Sequence, residues 1–193
     1  METLDKKLQA VIERLSDSAR TSKIISMNAA FLADRGADGR EETSAAIKVV
    51  ASEIQRLSTA SSNGILELNG ILSEVRLLTQ TINLAGRQRM ISQKVMKLFL
   101  IEATGADPKA GAERHKWAGE FETALEKLRK SRLNTVEISM QLERVMELWA
   151  VFARALQNNE IMRAVDLNER VLSEMHATVL KYEALAGGTA AVA

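Results

Sequence analysis

Arg89 is the residue on which chemistry can turn. Counting alternately three and four from Ile47 passes through Val50, Ile54, Leu57, Ser61, Gly64, Leu68, Ile71, Val75, Leu78, Ile82, Ala85, Arg89, Ser92, Met96, Phe99 and Ala103. This is the seam of one long heptad helix. Every position on it is apolar or small except Arg89, whose guanidinium stays charged at any ordinary pH. Desolvating that charge unpaired costs more than a core side chain contributes, so an anionic group must answer it. One answer is a glutamate from a neighbouring helix, with Glu137, Glu143 and Glu147 available; a buried arginine of this kind can also fix helix register. The other is an anion from outside the chain. A guanidinium fork donates parallel hydrogen bonds to two oxygens and tolerates a weakly hydrated partner, which suits a small planar oxyanion such as nitrate. In a parallel homodimer the symmetry axis sets Arg89 against its own copy, and an anion between the two relieves their repulsion.

Gly86, one turn earlier, either removes a side chain that would block such a pocket or permits close helix packing. Ser92 and Gln93 flank the seam within reach of a ligand or a partner helix, and Lys97 at its edge adds local positive potential. Arg87, Lys94 and Leu98 fall on the opposite side of the helix, where Arg87 is solvated or salt-bridged. His115 and His176 are isolated in sequence and read as solvated helix histidines. With no phosphate-cradling glycine loop, no paired histidines at metal spacing and no cysteine, the chain is expected to be no enzyme and to hold no cofactor. Trp117, Phe121, Trp149 and Phe152 are expected in a helical core, and Met27, Met90, Met96, Met140, Met146 and Met175 as packing residues.

The stretch INLAGRQRM followed by SQ, carried by Ile82, Asn83, Ala85, Gly86, Arg87, Gln88, Arg89, Met90, Ser92 and Gln93, resembles the signature of the PilJ-type input domain of type IV pilus chemotaxis transducers and of nitrate and nitrite sensors. In the nitrate-sensing members, the arginine before the methionine comes from both subunits of a dimer and clamps one anion, with the glycine three residues earlier beside it. The resemblance thus implies Arg89 and Gly86 as ligand residues, with Asn83, Ser92, Gln93 and Lys97 in second rank. A second resemblance covers SKIISMNAA and KVVASEIQRLS, through Asn28, Ala29, Ala30, Val49, Val50, Ala51, Glu53 and Leu57. These are similar to the two arms of the cytoplasmic tip of methyl-accepting chemotaxis proteins. Between them FLADRGADGREETSAAIK is longer than the usual connection and lacks the glutamate and arginine arrangement that holds the chemotaxis kinase and its coupling protein.

The elements that must position Arg89 are all helical. Over 193 residues, 46% are hydrophobic, proline occurs once and aromatics make up 4%, which points to a foldable all-α chain. Twenty-six basic residues against 25 acidic ones leave no global field for nucleic acid, so an anion site must be local. No apolar run is long enough to span a membrane, and the N-terminus lacks the apolar core of a signal peptide. Together with the absence of cysteine, this sets a cytoplasmic expectation.

Leu4, Leu8, Val11, Leu15, Ser18, Ser22, Ile25, Ala29 and Leu32 predict a first helix from Thr3 to Ala33. A turn at Asp34, Gly36, Asp38 and Gly39 follows. The second helix carries the Arg89 seam, with Asn63-Gly64 and Asn69-Gly70 able to bend or interrupt it. Turn signals at Gly105, Asp107 and Pro108 end it, and helices follow over Gly111–Lys130, Leu133–Leu156 and Glu160–Ala186. The architecture expected is an antiparallel coiled-coil hairpin over 1–65, a four-helix bundle over 66–187 and a frayed tail over 188–193. The function expected is a homodimeric sensor of nitrate or nitrite that relays a helix shift to the hairpin and works with chemotaxis or pilus signalling proteins. The alternative is a ligand-free helical adaptor of such an array.

Overall fold

The structure is a computed structural model that describes residues 2–35 and 41–190, with side chains at 8–32 and 45–186. It is all-α: α1 Glu2–Arg35, α2 Glu41–Ala103, α3 Ala110–Arg129, α4 Val136–Gln157 and α5 Ile161–Ala190. The glycine turn expected at Gly36 and Gly39, with Asp38, lies outside the described residues, as do the side chain of Asp34 and the last three residues of the tail. Helix ends carry their local reasons. Gly105, at φ 66°, closes α2: its N–H donates to the Glu102 carbonyl at 3.0 Å and that of Ala106 to Ile101 at 3.2 Å, the paired bonds of a left-handed helix cap. Asn159, at φ 56°, repeats this after α4, with Glu160 N donating to the Ala155 carbonyl at 2.9 Å. Thr135 starts α4 by accepting from Ile138 N at 3.2 Å.

The chain forms two compact units, Met1–Glu74 and Val75–Ala193. α2 contributes to both and runs unbroken through Gly64 and Gly70, so neither Asn-Gly pair interrupts it. A helical glycine costs only about 1 kcal/mol, which 63 residues of otherwise competent sequence absorb.

In the first unit α1 and α2 run antiparallel, in contact at one residue in seven. Ile12, Ala19 and Ser26 are buried on α1, and Ala51, Ser58 and Ile65 on α2. Ser26 Oγ donates to the Ala51 carbonyl, and Ser58 Oγ to the Ala19 carbonyl at 2.5 Å. These residues each follow an apolar heptad position rather than occupy it. Val11, Leu15, Ile25 and Leu32 of the expected α1 seam, and Ile47, Val50 and Leu57 of the α2 seam, are exposed. Small residues let the two backbones approach along the middle of the hairpin, and Ile12 packs with Ile65, Leu68 and Leu72.

In the second unit the core joins α2 to α3, α4 and α5 through Ala85, Ile91, Val95, Phe99, Phe121, Leu142, Phe152, Val171, Met175 and Tyr182. Phe121 stacks on Trp149 with ring centroids 3.7 Å apart, and Phe152 tilts against Trp149 at 5.3 Å. Trp117 packs at the core's edge beneath the Lys94 ammonium, 3.8 Å from the ring centroid. Met96 and Met175 are buried, whereas Met27, Met90 and Met140, expected in packing, are exposed. Tyr182 Oη donates to Asn134 Oδ1 at 2.6 Å, and Asn134 Nδ2 donates to the Leu128 and Arg129 carbonyls at 2.8 and 3.0 Å. One asparagine thus holds the end of α3 to α5. Burial pushes the Tyr182 phenol up to about 12.

Candidate functional site

α2 meets the bundle core with a different stripe from the one its heptad pattern indicates. The buried series is Leu78, Thr81, Ala85, Gln88, Ser92, Val95 and Phe99. It shares every second position with the expected seam and replaces Ile82, Arg89 and Met96 by the residue before each. Met96 stays buried and Ile82 half-buried, but Arg89 is exposed. The expectation of a charge sunk in the chain's own apolar seam is therefore corrected: a rotation of less than about 100° moves Arg89 to the rim, and Gln88 takes the interior place.

Gln88, named among the signature residues but not among the candidate ligand residues, is the polar group the fold buries here. It is fully buried, its Nε2 donates to the Leu84 carbonyl at 3.1 Å, and its Oε1 meets no partner among the described residues. Its partial membership of the apolar stripe was the available cue.

Around Arg89 a cleft of about 580 Å³ opens between α2 and α5. Gly86, Arg89, Met90 and Gln93 form one wall, and Glu169, Leu172, Ser173 and His176 the other. Arg89 Nη1 lies 2.9 Å from His176 Nδ1. None of the three expected glutamates meets it: Glu143 accepts from Arg129 at 2.8 and 3.0 Å, Glu137 pairs with Lys181 at 3.4 Å, and Glu147 makes no bond to Arg89. His176, expected to be merely solvated, is thus the arginine's partner. No local sequence cue links them, because the two are 87 residues apart and only the packing of α5 on α2 joins them.

A Cβ built on Gly86 would meet nothing within 4 Å. Close helix packing within the protomer is therefore not what a glycine serves here. Gln93 shares the cleft, and with Lys97 it also lines the next cleft along α2, beside Glu113 and Asn168. Ser92 turns inward, fully buried, and its Oγ donates to the Arg89 carbonyl at 3.0 Å. Asn83 is exposed and lies outside the Arg89 cleft. Arg87 pairs with Glu120 at 3.2 Å on the other side of α2, and His115 Nδ1 sits 2.7 Å from the Gly111 carbonyl. No group of three or more His, Asp or Glu among the described residues could hold a metal ion, and no described helix is long and apolar enough to cross a membrane.

No curated protein and no solved structure matches the chain significantly. The family model described as the type IV pili methyl-accepting chemotaxis transducer N-terminal domain matches residues 71–179. That range is more than half of the 193 residues, and it contains Arg89, its cleft and the bundle core. The chain therefore belongs to the PilJ family of chemotaxis transducer signalling domains.

Proposed function

We propose that this PilJ-family protein senses a small oxyanion, nitrate or nitrite, held between the Arg89 side chains of a homodimer. The observation that carries the reading is the company Arg89 keeps. Among the described residues its guanidinium has no carboxylate partner and bonds an imidazole nitrogen, and it shares an open cleft with Gly86. A fork with free donors at the rim of a helix is available to an anion and to a second copy at once.

The homodimer is supported by the hairpin. Its interior is built from Ala19, Ser26, Ala51, Ser58 and two isoleucines, with Leu68 and Leu72 packed against them, while Val11, Leu15 and Ile25, and Val50 and Leu57, lie uncovered. Two helices with so small a core need a further apolar partner, and a second hairpin offers the same stripes in complement. Output is then mechanical: an anion drawn between two arginines shifts the paired helices, and the unbroken α2 carries the shift toward the hairpin with a coupling of about 1–3 kcal/mol.

Calorimetry with nitrate, nitrite and chloride on the wild type and on Arg89→Ala tests the reading. Binding of nitrate or nitrite that the alanine variant loses is expected. Failure of every anion to bind the wild type, or equal binding by the variant, refutes it. The adaptor reading takes the uncovered stripes as the seat of another helical protein; it requires the isolated chain to sediment as a monomer.

A further inference from the structure

The Arg89 cleft contains an imidazole, His176, which the anion reading alone leaves idle. A guanidinium only donates hydrogen bonds, so at 2.9 Å the Nδ1 of His176 must be the acceptor. The ring is then neutral, with its hydrogen on Nε2. Protonating Nδ1 sets one N–H against another, and the contact has to open. Once open, the cleft presents an imidazolium and a guanidinium from facing helices, both donors and neither satisfied by the other.

The surrounding charges make this consequential. Glu169 is the carboxylate that shares the cleft, from α5 itself. With His176 neutral, Arg89 and Glu169 cancel, whereas with His176 protonated the cleft carries one net positive charge. On the side of α5 that packs on α4 the charged groups are engaged elsewhere: Glu174 accepts from Gln141 and lies 3.7 Å from Arg144, and Lys181 pairs with Glu137. Gln93 and Ser173, the remaining polar groups of the cleft, do not titrate.

We infer that His176 is a further anion-contacting residue and that the Arg89 cleft captures its oxyanion together with a proton. This rests on the sensor reading above and adds the residue that governs it. Neutral His176 holds Arg89 Nη1 in reserve; protonating the ring frees the guanidinium and supplies a second donor. Affinity rises as pH falls, because nitrate itself stays an anion throughout.

The test uses nitrate with the full-length protein in chloride-free buffer at pH 8 and pH 5.5. Wild type is expected to bind about tenfold more tightly at the lower pH and to take up protons on binding, read from calorimetry in buffers of different ionisation enthalpy. His176→Gln keeps an acceptor for Arg89 but cannot titrate, so its affinity should be the same at both values. Independently of nitrate, the ¹⁵N shifts of His176 at pH 8 should mark Nδ1 as an unprotonated, hydrogen-bonded nitrogen, and Arg89→Ala should move that shift toward the value of a free imidazole. Equal wild-type affinity at both pH values, or a pH response retained by His176→Gln, overturns the proton coupling and leaves the sensor reading standing. No binding at either pH overturns both. An Nδ1 that carries the hydrogen at pH 8 overturns the role of His176 whatever nitrate does.

Discussion

Gly86 separates two demands that usually coincide at a single residue. As a helical glycine with open space where its Cβ would stand, it weakens α2 without serving any contact inside the protomer. Gly86→Ala should therefore raise the unfolding free energy of a protomer by about 0.5–1 kcal/mol. In the sensor reading the same methyl intrudes beside Arg89, so nitrate affinity should fall while the melting temperature holds or rises; calorimetry and thermal unfolding on one preparation read both. An alanine that leaves nitrate binding intact removes Gly86 from the site. Arg89 shows how far sequence carries at this scale. Its type, its isolation among apolar neighbours and its place in the PilJ signature were all legible. Its exposure was not, because seam positions of alternating three and four steps coincide every seventh residue whichever phase is taken. Leu78, Ala85, Ser92 and Phe99 fit both phases, and only the packing of α3 to α5 chooses between Gln88 and Arg89 for the interior. His176 was illegible for a different reason: a lone histidine has no pattern, and its meaning comes from what another helix brings to it.

At the scale of elements, the helices were read to within about one turn because capping and breaker residues act locally. Gly105 ends α2 where its turn signal stood, whereas the Thr135 side chain that starts α4 and the positive φ of Asn159 after it were not read from the sequence. The clip that joins elements was not readable: Asn134 and Tyr182 lie 48 residues apart, yet together they tie the end of α3 to α5. This clip has a pH signature. Burial raises the Tyr182 phenol from 10.0 to about 12, so the folded state retains a proton that the unfolded chain releases. The stability it contributes is complete below pH 10 and is lost as pH rises toward 12. Tyr182 is the chain's only tyrosine, so tyrosinate absorbance near about 295 nm reports this group alone. The absorbance should rise with a midpoint near 12 in the native protein and near 10 in denaturant. Tyr182→Phe should cost about 1 kcal/mol at pH 8 through the lost bond to Asn134, and the gap between the variant and wild type should narrow above pH 10. A native midpoint near 10 would show that the phenol is not shielded.

For the molecule as a whole, the unresolved quantity is the number of chains over which the hairpin's apolar surface is shared. A heptad pattern records which residues want burial but not whether the neighbour that buries them belongs to the same chain. Both expected hairpin seams were placed as apolar but only in part in the contact between α1 and α2: Leu68 packs there, whereas at every second position the contact uses the following residue, Ile12 rather than Val11 and Ala51 rather than Val50. Leu57 makes the distinction measurable. It is 57% exposed in the protomer, so Leu57→Glu on a monomeric chain should change stability by no more than about 0.5 kcal/mol. In a dimer of hairpins the same glutamate is placed in a desolvated seam, twice, with no cation opposite it. Sedimentation should then show a dimer for wild type and a monomer for the variant, and the variant's melting temperature should lose the dependence on protein concentration that a dimer imposes. Nitrate binding should weaken in parallel, although Leu57 lies far along the sequence from Arg89, because one arginine of the pair is withdrawn. A wild type that sediments as a monomer, or a Leu57→Glu variant that remains a dimer, would leave each Arg89 with only His176 for company and would transfer the hairpin's uncovered stripes to a different partner.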